Sequence, residues 1–189
     1  MQVLLSLGSA IFLGATSTSP VQISTCEVAM AAENSAATWL DAFNTRWAHE
    51  DYPPIEVQPA DLEQAEKDLS YIFPSSYRGA VLAVGLPRPT ADLWDAIDEK
   101  SNLPHLGDFL TPTEIVESVQ GWTPSGYPAD LVPFASDSGG NLLSFRRSDV
   151  SDAVYLWDHD FGTVQQIAPS FADLIEAYCS PPSETAQVR

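Results

Sequence analysis

Between Leu131 and Ile167 the chain alternates short apolar runs with brief turns, and this pattern constrains the fold more than any other feature. The runs are Leu131–Ala135, Asn141–Arg146, Ala153–Trp157 and Thr163–Ile167. They are rich in Val, Leu, Phe and Tyr, residues that fit a pleated, half-buried surface. The turns contain Gly or Asp, the first reading Asp137-Ser138-Gly139-Gly140. Connections this short join antiparallel strands, because a parallel return needs a long crossover. Gly139 and Gly140 are read as the turn residues with positive φ. His105–Leu110 predicts one strand more.

Helical spacing surrounds this meander. Trp39, Leu40, Phe43 and Trp47 predict a helix over Ser35–Glu50, capped by Asn34 or Ser35 and broken by Tyr52-Pro53-Pro54. A second helix begins at Pro59 with Leu62, Ala65 and Leu69 inward and Glu63/Lys67 as an outer pair. Pro74 stops it, Ser75 or Ser76 caps a third, and Gly85 ends that one. Leu93–Asn102 is acidic and anchored by Trp94 and Ile97. Thr111 and Glu114 have capping-box spacing before Ile115, Val116 and Val119, with Gly121 as the stop and an irregular loop over 122–130. Ser170 and Asp173 repeat that spacing before Phe171, Leu174, Ile175 and Tyr178.

The predicted fold is α+β, an antiparallel sheet of about four to six strands with helices packed against it. A chain of 189 residues supplies one sizeable core and is short for two. The predicted organisation is an apolar segment over 1–29, a helix and linker over 30–58, the main domain over 59–180 and a flexible Pro/Ser/Thr-rich tail over 181–189.

Charge limits the partners. Twenty-six acidic residues against 8 basic ones give a net charge of −18. Such a field repels nucleic acid, which is bound by neutralising phosphates with Lys and Arg. It also disfavours anionic membranes and favours capture of a basic protein. Acidity also maintains solubility, which alone would account for it.

Residues 1–29 hold one charged side chain, Glu27, and an apolar stretch from Val3 to Ala15. A secretory signal lacks its basic start here, and the nearest small-x-small site, Ala29-Met30-Ala31, lies far beyond the apolar stretch. A lipoprotein signal ending at Cys26 has Thr25 in an unfavourable place. A misassigned start, with Met30 as the first residue, fits best and predicts a cytoplasmic protein without membrane contact; export and a native N-terminal extension are the alternatives. Cys26 and Cys179 stand alone, with no Cys/His spacing for zinc.

Two constellations invite a chemical reading. Asp137-Ser138-Gly139-Gly140 resembles the nucleophile loop of trypsin-like proteases. However, Ser136 replaces the usual preceding Gly, and His49, His105 and His159 lack the context of the catalytic histidine. Asp158-His159-Asp160 offers metal ligands or an acid–base pair, but strand neighbours point to opposite faces, and Asp160-Phe161-Gly162 makes a turn. His49-Glu50-Asp51 reads as a solvated helix end. The expectation is no catalytic residue, no metal and no cofactor.

The order of these elements resembles the SMI1/KNR4 family of the SUKH superfamily over roughly residues 59–180. Ile72-Phe73-Pro74-Ser75-Ser76-Tyr77-Arg78 is similar to the family's L-P-x-x-Y-R, with Phe73 where Leu is commoner. Leu86-Pro87-Arg88-Pro89 departs from the usual Asn-Gly-Gly-like turn. Trp157-Asp158-His159-Asp160 is similar to its W-D-H-E strand end, and Ser170-Phe171 to the start of its last helix. The resemblance implies protein binding without chemistry, as in bacterial immunity proteins that neutralise a cognate toxin, often a nuclease. Asp158, Asp160, Asp98 and Glu99 would then mimic phosphates in a basic cleft. Trp157, like Trp94 and Trp122, is expected in or near the core as a large aromatic and is a candidate anchor if exposed beside those carboxylates. A scaffold or regulatory module is the alternative, and an enzyme centred on Asp158-His159-Asp160 the more distant one.

Overall fold

The computed structural model describes the backbone of residues 25–98 and 103–180, and the side chains of all of these except 25–31 and 98. Residues 1–24 of the apolar segment and the predicted tail 181–189 therefore lie outside the described residues. The elements run α1 (Thr25–Trp47), α2 (Pro59–Leu69), α3 (Ser75–Val84), α4 (Ala91–Asp98), β1 (Leu106–Phe109), α5 (Pro112–Trp122), β2 (Leu131–Asp137), β3 (Leu142–Arg146), β4 (Val154–Asp158), β5 (Thr163–Ala168) and α6 (Phe171–Cys179). The five strands form one antiparallel meander in sequence order, as the turns require. The fold is α+β.

Two apolar layers hold the sheet. Its main face carries Phe134, Leu143, Phe145 and Val154 against α1, α3 and α6. Ala36, Leu40, Phe43 and Trp47 give α1 its buried stripe, and Phe171, Leu174, Ile175 and Tyr178 do the same for α6. On the opposite face Leu131, Leu142, Tyr155 and Trp157 lie beneath Trp122 and Tyr127, which follow from the end of α5. Ser144, fully buried on that face, shares a hydrogen bond of 2.9 Å with the Tyr127 hydroxyl.

Four local expectations change. Helix α1 starts at Thr25 rather than near Ser35, because the Ala-rich stretch before Thr38 has high helix propensity. Thr38 Oγ1 consequently donates back to the Asn34 carbonyl, inside the helix, at 2.7 Å. Helix α5 passes through Gly121, and a 3₁₀ turn over Thr123–Ser125 ends at Gly126. Trp122 docks edge-on against Trp157, with ring centroids 5.5 Å apart, and carries the helix on. Pro74 is the N-cap of α3, and Ser76 instead donates to Asp152. Glu63 faces Arg78 at 3.4 Å rather than Lys67.

The Thr111/Glu114 capping box forms as read, with reciprocal bonds of 3.3 and 2.8 Å. At α6, Ser170 accepts from the Asp173 N–H at 3.1 Å. Gly85 has φ +88°, and a Cβ there would meet the Ile55 carbonyl oxygen at 2.7 Å, so only glycine lets these segments pair.

Alkali should unfold this core. Burial pushes the Cys179 thiol from its ordinary 9.0 to about 11, with Arg46 opposing and Glu176 adding to the rise. Burial also raises the Tyr77 and Tyr178 hydroxyls well above their ordinary value. Above pH 9 the unfolded chain therefore binds fewer protons than the folded one. The melting temperature should be insensitive to these groups below pH 9 and fall as pH rises through 11. Cys179→Ala should move the onset upward, toward the ordinary tyrosine range.

Candidate interaction surface at one end of the sheet

The β2–β3 and β4–β5 turns share one end of the sheet, and each is held by an aspartate at its start. Asp137 Oδ1 accepts from the Gly139 and Asn141 N–H groups, both at 2.8 Å, and its Oδ2 accepts from Asn141 Nδ2–H at 2.8 Å. Asp158 Oδ1 accepts from the Asp160 and Phe161 N–H groups at 3.0 Å each. These are Asx turns, in which a short carboxylate replaces a backbone acceptor. Of the two glycines in the first turn, Gly140 has positive φ (+90°) and Gly139 does not, which corrects the reading for Gly139. Ser138 is exposed at the tip, and its N–H donates to the His105 carbonyl at 2.8 Å.

Asn141 joins the two turns. Besides donating to Asp137, its Oδ1 accepts from the His159 N–H at 3.2 Å and from His159 Nδ1–H at 3.0 Å. The His159 ring lies 5.3 Å from Trp122, and its Nε2 lies 3.4 Å from Asp160 Oδ1. The imidazole is thus a strut between hairpins, walled by an indole and a carboxylate. Asn141→Ala should cost about 1–3 kcal/mol, because it removes partners from both turns at once. Amide exchange should quicken in both turns together; acceleration confined to the first would show that the strut is dispensable.

The two carboxylates and the tryptophan assigned to this segment separate. Asp158 is half-buried, and the Asp160 side chain is 76% exposed. Trp157 is 1% exposed and belongs to the second core, so it offers no contact surface. The core placement expected of a large aromatic holds, and the candidate anchor role is set aside: alternation along β4 turns Trp157 under Tyr127 and Trp122, away from solvent. The exposed aromatic at this end of the sheet is Phe161, at 81%. Its sequence signal was its place inside a turn, where an aromatic has no core to join. Asp98 ends α4 and its side chain is not described, and Glu99 lies outside the described residues.

Four of the arginines are engaged elsewhere. Arg78 pairs with Glu66 at 2.9 Å, Arg146 lies 3.1 Å from Asp130, Arg46 donates to the Cys179 carbonyl, and Arg147 donates to the Leu69 and Ala129 carbonyls. Much of the acidic charge thus stays uncompensated at the surface. Asp61, Asp68 and Glu117 rim an open groove of about 280 Å³ between α2 and α5. Among the described residues no three His, Cys, Asp or Glu side chains gather to hold a metal, and no helix is long and apolar enough to cross a membrane.

Comparison with known families decides the affiliation. A family model described as SMI1 / KNR4 family (SUKH-1) matches residues 56–177, more than half of the chain. The chain belongs to the SMI1/KNR4 family. No curated protein matches it.

Tyr77, Glu66 and Asp152, all within the matched span, have structural roles in this fold. Tyr77 packs among Phe73, Phe134, Phe145 and Phe171, joining α3 to the sheet and α6. Glu66 Oε2 holds Arg78, and its Oε1 accepts from the Phe73 N–H at 3.1 Å, which clamps the turn between α2 and α3. Asp152 Oδ2 accepts from Ser76 Oγ–H and from the Phe171 N–H, tying the starts of α3 and α6 together. Family membership carries protein binding in general, and the identity of this chain's partner is a separate matter.

Proposed function

We propose that this SMI1/KNR4 protein is an immunity-type binder that neutralises a cognate basic toxin by covering its active or binding surface. The observation that carries this reading is an acidic, aromatic-tipped sheet end. Asp158, Asp160 and exposed Phe161 stand together there, while Arg46, Arg78, Arg146 and Arg147 are engaged with carboxylates or carbonyls elsewhere in the fold. Carboxylates in that setting occupy the place of phosphates in a basic cleft, and complementary fields set encounter rate and orientation. On this reading the chain acts in the cytoplasm and without catalysis, by occlusion.

The test is co-expression with the toxin gene encoded beside it. Restored growth and a co-purifying complex are expected. A complex without restored growth would favour a regulatory module. Absence of both would remove the immunity reading. Restored growth that depended on turnover of the toxin, with no stoichiometric complex, would favour an enzyme.

A further inference from the structure

The two edges of the sheet are finished differently. Strand β1 is blunted: it has four residues, a register shift between Leu106 and Asp108, an exposed aspartate, and the Trp94 indole N–H donating to the Leu106 carbonyl at 2.8 Å. Those are the devices by which proteins keep an edge from pairing with another chain. Strand β5 has six residues, Thr-Val-Gln-Gln-Ile-Ala, with no charge, proline or glycine. Its ladder with β4 is regular from Thr163 to Gln166, and irregularity begins only beyond. In an antiparallel edge every second residue turns its N–H and C=O outward. Among the described residues the one hydrogen bond to the β5 backbone from outside the ladder is a donation from Gln166 Nε2–H to the Ala168 carbonyl.

We propose that β5 is a docking edge, onto which an extended segment of a basic partner adds as a sixth strand. Three neighbouring features identify the occupant. Phe161, beside the start of β5, is the apolar anchor that such a segment would cover. Asp158, paired with Thr163 across the ladder, and Asp160 set negative charge at one end of the edge. Asp173, exposed in the first turn of α6, adds negative charge to the helix that follows β5. An uncharged strand bracketed by Lys or Arg complements this layout, with main-chain bonds supplying affinity and flanking charge supplying register. A second copy of this chain fits poorly. Antiparallel self-pairing would press two copies together at a net charge of −18 each. The partner's basic character rests on the function proposed above; the open edge does not.

The probe is a capped Lys-Thr-Val-Thr-Val-Lys peptide titrated into the full chain, with a Glu-bracketed peptide as control. The Lys peptide should slow amide exchange at Thr163–Gln166 by about tenfold, and the Glu peptide should bind about tenfold more weakly or less. Gln165→Pro and Gln166→Pro separate docking from folding. One of these neighbours turns its N–H outward, so its proline should abolish binding and keep the melting temperature; the other should break the β4 ladder. Phe161→Ala, at an exposed site, should weaken binding about tenfold with the fold intact.

No slowing within β5, or binding that survives both prolines, would overturn the proposal. So would a dimer of the chain alone that either proline dissolves, which would assign the edge to a second copy. Toxin neutralised equally well by the folded proline variant would reject the docking edge and leave the immunity function standing. Peptide capture at β5 without any toxin rescue would do the reverse.

Discussion

Tyr77→Ala is expected to lower the free energy of unfolding by about 4 kcal/mol, the cost of a large cavity in an aromatic core. The ring is 1% exposed, and its centroid lies 5.4 Å from those of Phe73 and Phe145, 5.7 Å from Phe134 and 5.3 Å from Phe171. These four residues come from the α2–α3 turn, β3, β2 and α6, so the cavity would open where all layers meet. Edge-on geometry adds to the loss: the Phe171 ring stands at 89° to Tyr77, an arrangement worth about 0.5–1.5 kcal/mol beyond buried area. Phe134 and Phe145, stacked 4.6 Å apart across β2 and β3, are held by the sheet and cannot collapse into the gap. Urea titration should show a lower midpoint with an unchanged slope. A loss below about 1 kcal/mol would mean that α3 is held to the sheet by its other contacts.

This tyrosine also shows what the sequence made legible. The Phe73-Pro74-Ser75-Ser76-Tyr77-Arg78 stretch placed α3 correctly, because a proline stop and a glycine end are local physics. The meander was legible for the same reason, since each turn is short enough to dictate its own strand pairing. The direction of Trp157 was not. β4 is buried on both faces, with Val154 in one core and Trp157 in the other, so no apolar–polar contrast marks which residue meets solvent. The extension of α5 to Trp122 was equally hidden, because it depends on Trp157, far along the chain. Asn141 looked like ordinary turn composition; its role as a strut exists only once His159 lies beside it. The surface proposed to bind had a partial signature: Asp158 and Asp160 could be named, but Phe161 and the unblunted edge of β5 required the sheet order.

Replacing Asp158 by Asn and Asp160 by Lys should slow association with the cognate partner by between about tenfold and a thousandfold, the range over which charge steering acts. The turn survives the first change, because the side-chain carbonyl that Asp158→Asn leaves still accepts the N–H groups of residues 160 and 161. The exposed Asp160 carboxylate lies 3.4 Å from His159 Nε2, so Asp160→Lys also removes a favourable neighbour of that ring. Stability should nonetheless change little, because exposed pairs contribute about 0–1 kcal/mol. Salt supplies the diagnostic. At an ionic strength where the screening length falls to about 3 Å, the native rate should approach that of the variant. Net charge alone would give the same slowing wherever the reversal is placed. Matched changes at Asp68 and Glu117, in the groove between α2 and α5, therefore decide the matter. If the sheet end is the contact, they should leave the rate within about threefold of native, because steering depends on the charges nearest the docking face. Equal slowing from both sites would assign the effect to the overall field, and the acidic turn would lose its claim to be the contact.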